Sequence, residues 1–275
     1  MKNNKLLKNP QGVIGIVLIT FIITLAVFAP QIAPHDPLQL NPALKLQEPS
    51  NIFPFGTDQL GRCVFSRIVF GARYSMIIAI PTLMILSTLG ILVGATIAYK
   101  GGILNRILMV ICDILGSFPS LIIVISLVGV LGNSISNIII AAIISSGAWF
   151  IRMGKAYSKI EANKDYIISA KIAGASDFSI ITKHIIPNVL PQFLIFTSSG
   201  IASMILMISG FSYLGIGLEA GIPEWGSMLT EANALLYSAP RLIILPGIFI
   251  VIAAGGFTFL AEALRDILTP EDTTV

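Results

Sequence analysis

The spacing of its charges constrains this chain more than any other feature. No charged side chain occurs from Ser75 to Tyr99, and none from Ile114 to Ile151. A run of about 18 or more such residues reads as a bilayer-spanning helix. Only 11% of the 275 residues are charged, against about 25% in a soluble domain. That is too little charge to clothe a water-facing surface of this length. The expectation is an all-α, polytopic membrane protein.

The apolar runs divide into six spans. The first lies between Lys8 and His35, with its apolar part at Val13 to Pro30. It is too long for a signal-peptide core and reads as an uncleaved first helix. The second is Ser75 to Tyr99. The run from Ile114 is too long for one span, and Gly132-Asn133-Ser134 interrupts it, giving Ile107 to Leu131 and Ile135 to Ile151. The fifth lies within Val189 to Gly217 and the sixth at Leu242 to Leu260. Six crossings put both termini on one side. With that side cytoplasmic, twelve Lys and Arg fall inside and five outside (Lys45, Arg62, Arg67, Arg73 and Arg241), so the positive-inside rule favours cytoplasmic termini. The arginines near the start of the second span are expected at the membrane interface.

The connections are unequal. Residues 31–70 form a proline-rich outer segment, expected to be irregular. Residues 218–240 form a second, with Trp225 at interface depth. The inner segment from Lys155 to His184 carries regular signals. Asp165 is placed to cap a helix over Tyr166 to Ala173, and Gly174 stands where a left-handed residue ends a helix. Ser176 is placed to cap a second short helix starting at Asp177, and Pro187 lies near the entry to the fifth span. Ile167, Ile168 and Ile172 beside Ser169 and Ala170 make a compact knob. Such a knob suits a groove on a partner and equally an amphipathic hairpin on lipid headgroups.

The remaining residues limit the chemistry. A net charge of +3 without a Lys/Arg stripe points away from nucleic acid. Cys63 and Cys112 are far apart, read as a loop thiol and an apolar helix residue. His35 and His184 are expected on opposite sides of the membrane, so no histidine metal site is expected. Gly90 and Gly94 form a GxxxG that reads as a helix contact. Asp113 and Arg152, near the inner interface, read as snorkelling or locally paired rather than as substrate-binding. Met204 and Met207, one turn apart, either face a pore as soft ligands or pack, with packing favoured. No GxxxxGK[ST] occurs, so nucleotide binding would belong to a partner.

Tyr166-Ile167-Ile168-Ser169-Ala170-Lys171-Ile172-Ala173-Gly174, followed by His184-Ile185-Ile186-Pro187-Asn188, resembles the EAA loop of bacterial ABC importer permeases. Ile168 stands where that loop usually has Glu, and Ser169 where it has its first Ala, while Gly174 and Pro187 keep the spacing. Further stretches resemble the peptide/nickel permease group. They are Gly56-Thr57-Asp58-Gln59-Leu60-Gly61-Arg62 with Ser66-Arg67 and Gly71-Ala72-Arg73, then Asp113 with Phe118-Pro119-Ser120. Ser212-Tyr213-Leu214-Gly215-Ile216-Gly217, Pro223-Glu224-Trp225-Gly226-Ser227-Met228-Leu229, and Leu264-Arg265-Asp266 with Pro270 complete the set. Cys63 sits where the group usually has Asp.

The resemblance implies a type I ABC importer permease fold in the bacterial cytoplasmic membrane. It implies a tail and first helix over 1–34, an extracytoplasmic loop over 35–70, a five-helix core over 71–265 that includes the 155–187 cytoplasmic coupling loop, and a tail over 266–275. The implied partners are a second homologous permease, two ATP-binding cassette subunits that hold ATP and Mg, an extracytoplasmic binding protein and the bilayer. The chain itself would be no enzyme and carry no cofactor. Tyr166, Ile167, Ile168, Ser169, Ala170, Lys171, Gly174, Ala175, Ser176, His184 and Pro187 would couple to an ATPase. Ala148-Trp149-Phe150-Ile151-Arg152 and Ile208-Ser209-Gly210-Phe211 resemble metal-importing members, favouring nickel or a metal–metallophore complex over di- or oligopeptides. Two other classes compete. A secondary transporter would need intramembrane acids, and Asp113 is the single candidate. A membrane enzyme would need convergent polar groups that the spans lack.

Overall fold

The computed structural model describes residues 3–219 and 221–268. Lys2, Pro270 and residues 269–275 of the expected tail lie outside the described residues. Among the described residues nine helices carry the architecture: α1 (Pro10–Val27), α2 (Val64–Lys100), α3 (Gly102–Ser117), α4 (Ser120–Leu131), α5 (Ile135–Ala162), α6 (Asp165–Ile172), α7 (Asp177–Tyr213), α8 (Trp225–Ala232) and α9 (Arg241–Leu268). Shorter helical turns occur at Asn3–Lys8, Ala29–Ile32 and elsewhere. Among the described residues the extended chain pairs in one isolated bridge, Thr57 with Cys63.

Side-chain caps fix the starts of several helices. Asn9 caps α1 by accepting from the Gln11 and Gly12 amides at 2.9 and 3.2 Å, with Pro10 at the first helical position. Ser134 caps α5 through the Asn137 amide. Glu224 and Ser227 form a reciprocal capping box on α8.

Five of these helices are long and apolar enough to cross a bilayer unbroken: α1, α2, α5, α7 and α9. The third expected span is not one helix. It is α3 and α4 bent by 86°, and the pair makes a sixth crossing if it spans as a broken helix. The cause is Pro119, whose ring disfavours helical geometry at the preceding residue. Phe118 accordingly lies at φ −94°, ψ 137°. Helix α2 is longer than expected, at 37 residues, or about 55 Å, well beyond the ~30 Å hydrocarbon core. Its first turns, Val64 to Tyr74, extend into the outer segment.

Lipid gives no hydrophobic drive between helices, so close packing depends on small residues. A methyl group on Gly90 would stand 2.7 Å from the Phe150 carbonyl oxygen, and one on Gly94 would stand 2.8 Å from the Gly154 Cα. The GxxxG of α2 therefore meets Gly154 of α5 backbone to backbone, as expected of a helix contact. Gly15 of α1 approaches α9 in the same way: a methyl group there would stand 2.7 Å from the Leu260 amide nitrogen.

On the side of residues 31–70 and α8 the structure shows partners that the sequence did not. Trp225 is fully buried, its indole donates to the Ile68 carbonyl at 3.1 Å, and Gly71 leaves room for the ring. Arg62 and Arg67 are 2% and 1% exposed and form a four-charge knot with Asp58 and Glu231. The acids on the 58 turn and on α8 supply the partners that a lone arginine would seek in headgroups. Cys63, expected as a loop thiol, is buried at the start of α2, and Cys112 is buried on α3.

Replacing Gly154 with alanine forces the α2–α5 backbones apart. Overpacking of this kind costs about 1–3 kcal/mol, so the purified protein should melt roughly 3–10 °C lower. Gly129→Ala and Gly247→Ala, whose positions have no neighbour within 4 Å, should leave the melting temperature unchanged.

Candidate functional site

The segment joining α5 to α7 is built around one phenol. Tyr166, in the first turn of α6, donates to Glu161 Oε1 at 2.5 Å, and its oxygen lies 3.2 Å from the His184 carbonyl oxygen. Asn188 donates to the Tyr166 oxygen at 3.1 Å and to the His184 carbonyl at 2.6 Å. Glu161 also pairs with Lys164 at 2.7 Å. Burial, followed by the Glu161 hydrogen bond and charge, pushes the Tyr166 phenol up to about 12, so it stays a donor at physiological pH. The end of α5, the whole of α6 and the start of α7 are thus tied at one point.

Helix α6 ends as the sequence predicts, with Gly174 at φ +85°. The Ala175 amide donates to the Ala170 carbonyl and the Gly174 amide to the Lys171 carbonyl, both at 3.1 Å. This is the paired bonding of a Schellman stop. Ser176 then caps α7 through the Ser179 amide at 3.3 Å, with Asp177 in the first turn. Asp165 is the first residue of α6 rather than its cap, which falls on Lys164. There it still meets the positive end of the helix dipole.

No second short helix stands apart. From Asp177 the chain runs 37 residues to Tyr213, with a wide π turn at Ile180–Ile185. Pro187 accounts for the wide turn: it lacks an amide proton and its ring crowds the carbonyl one turn back. The expected knob is real but one-sided. Ile167 is buried, while Ile168, Ile172 and Phe178 are 54%, 82% and 76% exposed. Ser169 turns its hydroxyl to the Asp165 carbonyl at 3.1 Å. Lys171 lies 5.9 Å over the Tyr99 ring, and the Tyr99 hydroxyl donates to Asp177 at 3.2 Å, which braces the segment against the end of α2.

A second feature lies along α4, α5 and α7. A recess of about 410 Å³ is lined by Ser120, Ser145, Ser146, Ser199, Ser203 and aromatic rings, with Met204 and Met207 in its wall. Met204 is otherwise buried, and the Ser146 hydroxyl lies 3.9 Å from the Met207 sulfur. Both methionines therefore pack and border the same space. Asp113 and Arg152 form a local pair at 2.7 Å, one of the two roles expected of them, with Arg152 also donating to the Cys112 carbonyl at 2.9 Å.

Sequence reasoning missed Glu161, Asn188, Tyr99 and the recess serines. The first three act across helix breaks, so no single periodicity joins them. The serines had a signal: Ser199, Ser203 and Met207 recur every four residues on one helical stripe.

Residues 87–271 match the family described as binding-protein-dependent transport system inner membrane component. Residues 4–49 match the N-terminal TM domain of oligopeptide transport permease C. The chain is 34% identical to the dipeptide transport system permease protein of Alkalihalophilus pseudofirmus over 97% of its own length and 88% of that protein. It is 35% identical to the metal-staphylopine import system permease protein of Staphylococcus aureus, over 97% and 92%. It is also 35% identical to the glutathione transport system permease protein of Escherichia coli, over 93% and 84%.

Tyr166→Phe removes the hydroxyl and leaves Glu161 and Asn188 without their shared partner. Amide exchange over residues 165–175 should quicken about fivefold, the equivalent of ~1 kcal/mol. Exchange indistinguishable from the parent protein would mean that the phenol does not hold the segment.

Proposed function

This chain belongs to the family of binding-protein-dependent transport system inner membrane components, and we propose that it moves a metal–metallophore complex, driven through the Tyr166–Ser176 segment. It is a multi-pass permease subunit of an ABC importer in the bacterial cytoplasmic membrane, and ATP hydrolysis belongs to separate ATPase subunits. An importer of this type works with ATPase subunits, a binding protein and a second permease. The ion-coupled secondary transporter falls with that membership.

The observation that carries the substrate reading is the recess. Its wall offers serine hydroxyls, thioethers and rings, with no formal charge among the lining residues. A bare divalent cation seeks carboxylate, imidazole or thiolate ligands. A chelate that already satisfies its metal needs only hydroxyl contacts and apolar cover, which this wall supplies. The similarity to a metal-staphylopine permease agrees. A short peptide is the second reading, favoured by the similarity to dipeptide and glutathione permeases.

In the proposed mechanism ATP binding closes the ATPases, with Ile168 and Ile172 seated in a groove on one of them. Ile168, in place of the usual Glu, makes that contact apolar. The family favours this docked role over a hairpin resting on headgroups. Tyr166, Ile167, Ala170, Lys171, Ala175, His184 and Pro187 position the knob, and unbroken α7 carries its movement to the recess as a rigid body. The termini then lie in the cytoplasm, with residues 35–70 outside and the segment over 155–187 inside.

Gly174→Val forces a β-branched residue into left-handed geometry, at about 1–2 kcal/mol. Uptake should fall at least tenfold, together with substrate-stimulated ATPase activity, and normal values of both would sink the coupling role. In a strain lacking this gene, re-expression should restore uptake of chelated nickel in preference to a labelled dipeptide. Restoration of dipeptide uptake alone would select the peptide reading.

A further inference from the structure

A groove of about 420 Å³ runs between α1 and α2, lined by Ile23, Ala26 and Val27 on one side and by Met76, Ile77, Ile80 and Pro81 on the other, with Arg73 at one end. The α2 residues follow helical spacing from Arg73 onward, so they form one stripe about 12 Å long. That is a little less than half of the ~30 Å hydrocarbon core, the depth of one leaflet. Both walls belong to candidate bilayer-crossing helices. Arg73 is half-buried, and among the described residues it makes no hydrogen bond or ion pair. Its neighbours Arg62 and Arg67 consume the nearby acids Asp58 and Glu231. A permanently charged guanidinium at the end of an apolar groove, left without a protein anion, calls for a ligand that carries both an anionic head and a hydrocarbon chain.

We propose that this groove is a binding site for one anionic phospholipid. Arg73 would hold the phosphate, for which the guanidinium fork is matched in geometry and charge. One acyl chain would lie along Met76, Ile77 and Ile80 to Pro81. The position also explains why Arg73 stays on α2 without joining the buried knot one to two turns earlier: its anion comes from the membrane. A bound lipid would fill the seam where α1 and α2 diverge and fix the first helix against the core.

The test is native mass spectrometry of the intact importer, purified in mild detergent and supplied in turn with phosphatidylglycerol and phosphatidylcholine. The parent complex should retain one phosphatidylglycerol per copy of this chain in at least tenfold preference to phosphatidylcholine. Arg73→Gln should lose that preference, and Arg73→Lys should keep part of it. Ile77→Trp, which fills the groove and leaves the charge, should lose retention of both lipids. Equal retention of the two lipids by the parent, or an unchanged preference in Arg73→Gln, would overturn the proposal. So would a parent complex that binds neither lipid while Ile77→Trp separates the two permeases, because the groove would then be filled by a partner helix.

Discussion

The backbone contact between Gly90, Gly94 and Gly154 is the constraint on which the rest of the structure depends. Lipid is as apolar as leucine, so α2 and α5 gain by association only through close van der Waals contact and polar pairing. The glycines permit that closeness and also set the axial register of α5. Glu161 lies seven residues beyond Gly154, or about 10 Å along the helix. There it meets Tyr166 and Lys164. The same contact that packs the membrane core therefore positions the inner segment, and α2 braces that segment again through Tyr99.

The opposite end, where residues 58–67 meet α8, is held by different physics. Asp58, Arg62, Arg67 and Glu231 form a charge-neutral knot between chain segments more than 160 residues apart in sequence. Glu224, fully buried, accepts from Ser75 at 3.0 Å and from the Ser227 amide at 3.1 Å. Buried ion pairs add little net stability, but removing one partner strands a charge at a cost of about 3–5 kcal/mol. The knot thus acts as a specificity lock that docks α8 onto α2. The inner segment is tied by the Tyr166 phenol, the Tyr99 brace and buried Ile167, and it presents Ile168 and Ile172 to the exterior. One end of the molecule is interlocked by charge, and the other ends in an exposed apolar face.

Charge spacing made the membrane class and most of the spans legible, because the hydrocarbon core excludes charge at any position. Local signals at Gly174 and Ser176 also read true, since a left-handed stop and a cap depend on only a few neighbouring residues. Pairing of Asp113 with Arg152 was one of the two roles that their shared depth suggested. The bend at Pro119 was not, because the hydrophobic pattern continues through it and proline alone does not announce an 86° turn. The buried partners of Trp225, Arg62 and Arg67 were not legible for one reason: only the fold brings Gly71, Asp58 and Glu231 against them. The ends of α2 and α5 ran past expectation because helices continue beyond the apolar boundary whenever polar residues keep the helical bonds intact.

The coupling proposed above has force enter the permease at the exposed apolar face around Ile172. Both native cysteines, Cys63 and Cys112, are buried, so Ile172→Cys gives a chain with one accessible thiol. The decisive measurement is disulfide or short-linker cross-linking of that thiol to single cysteines introduced around the surface groove of the ATPase subunit, in membranes, with and without ATP. A cross-link to the ATPase whose yield changes on ATP binding is the predicted result. No cross-link at any groove position, in a variant that still imports substrate, would contradict it.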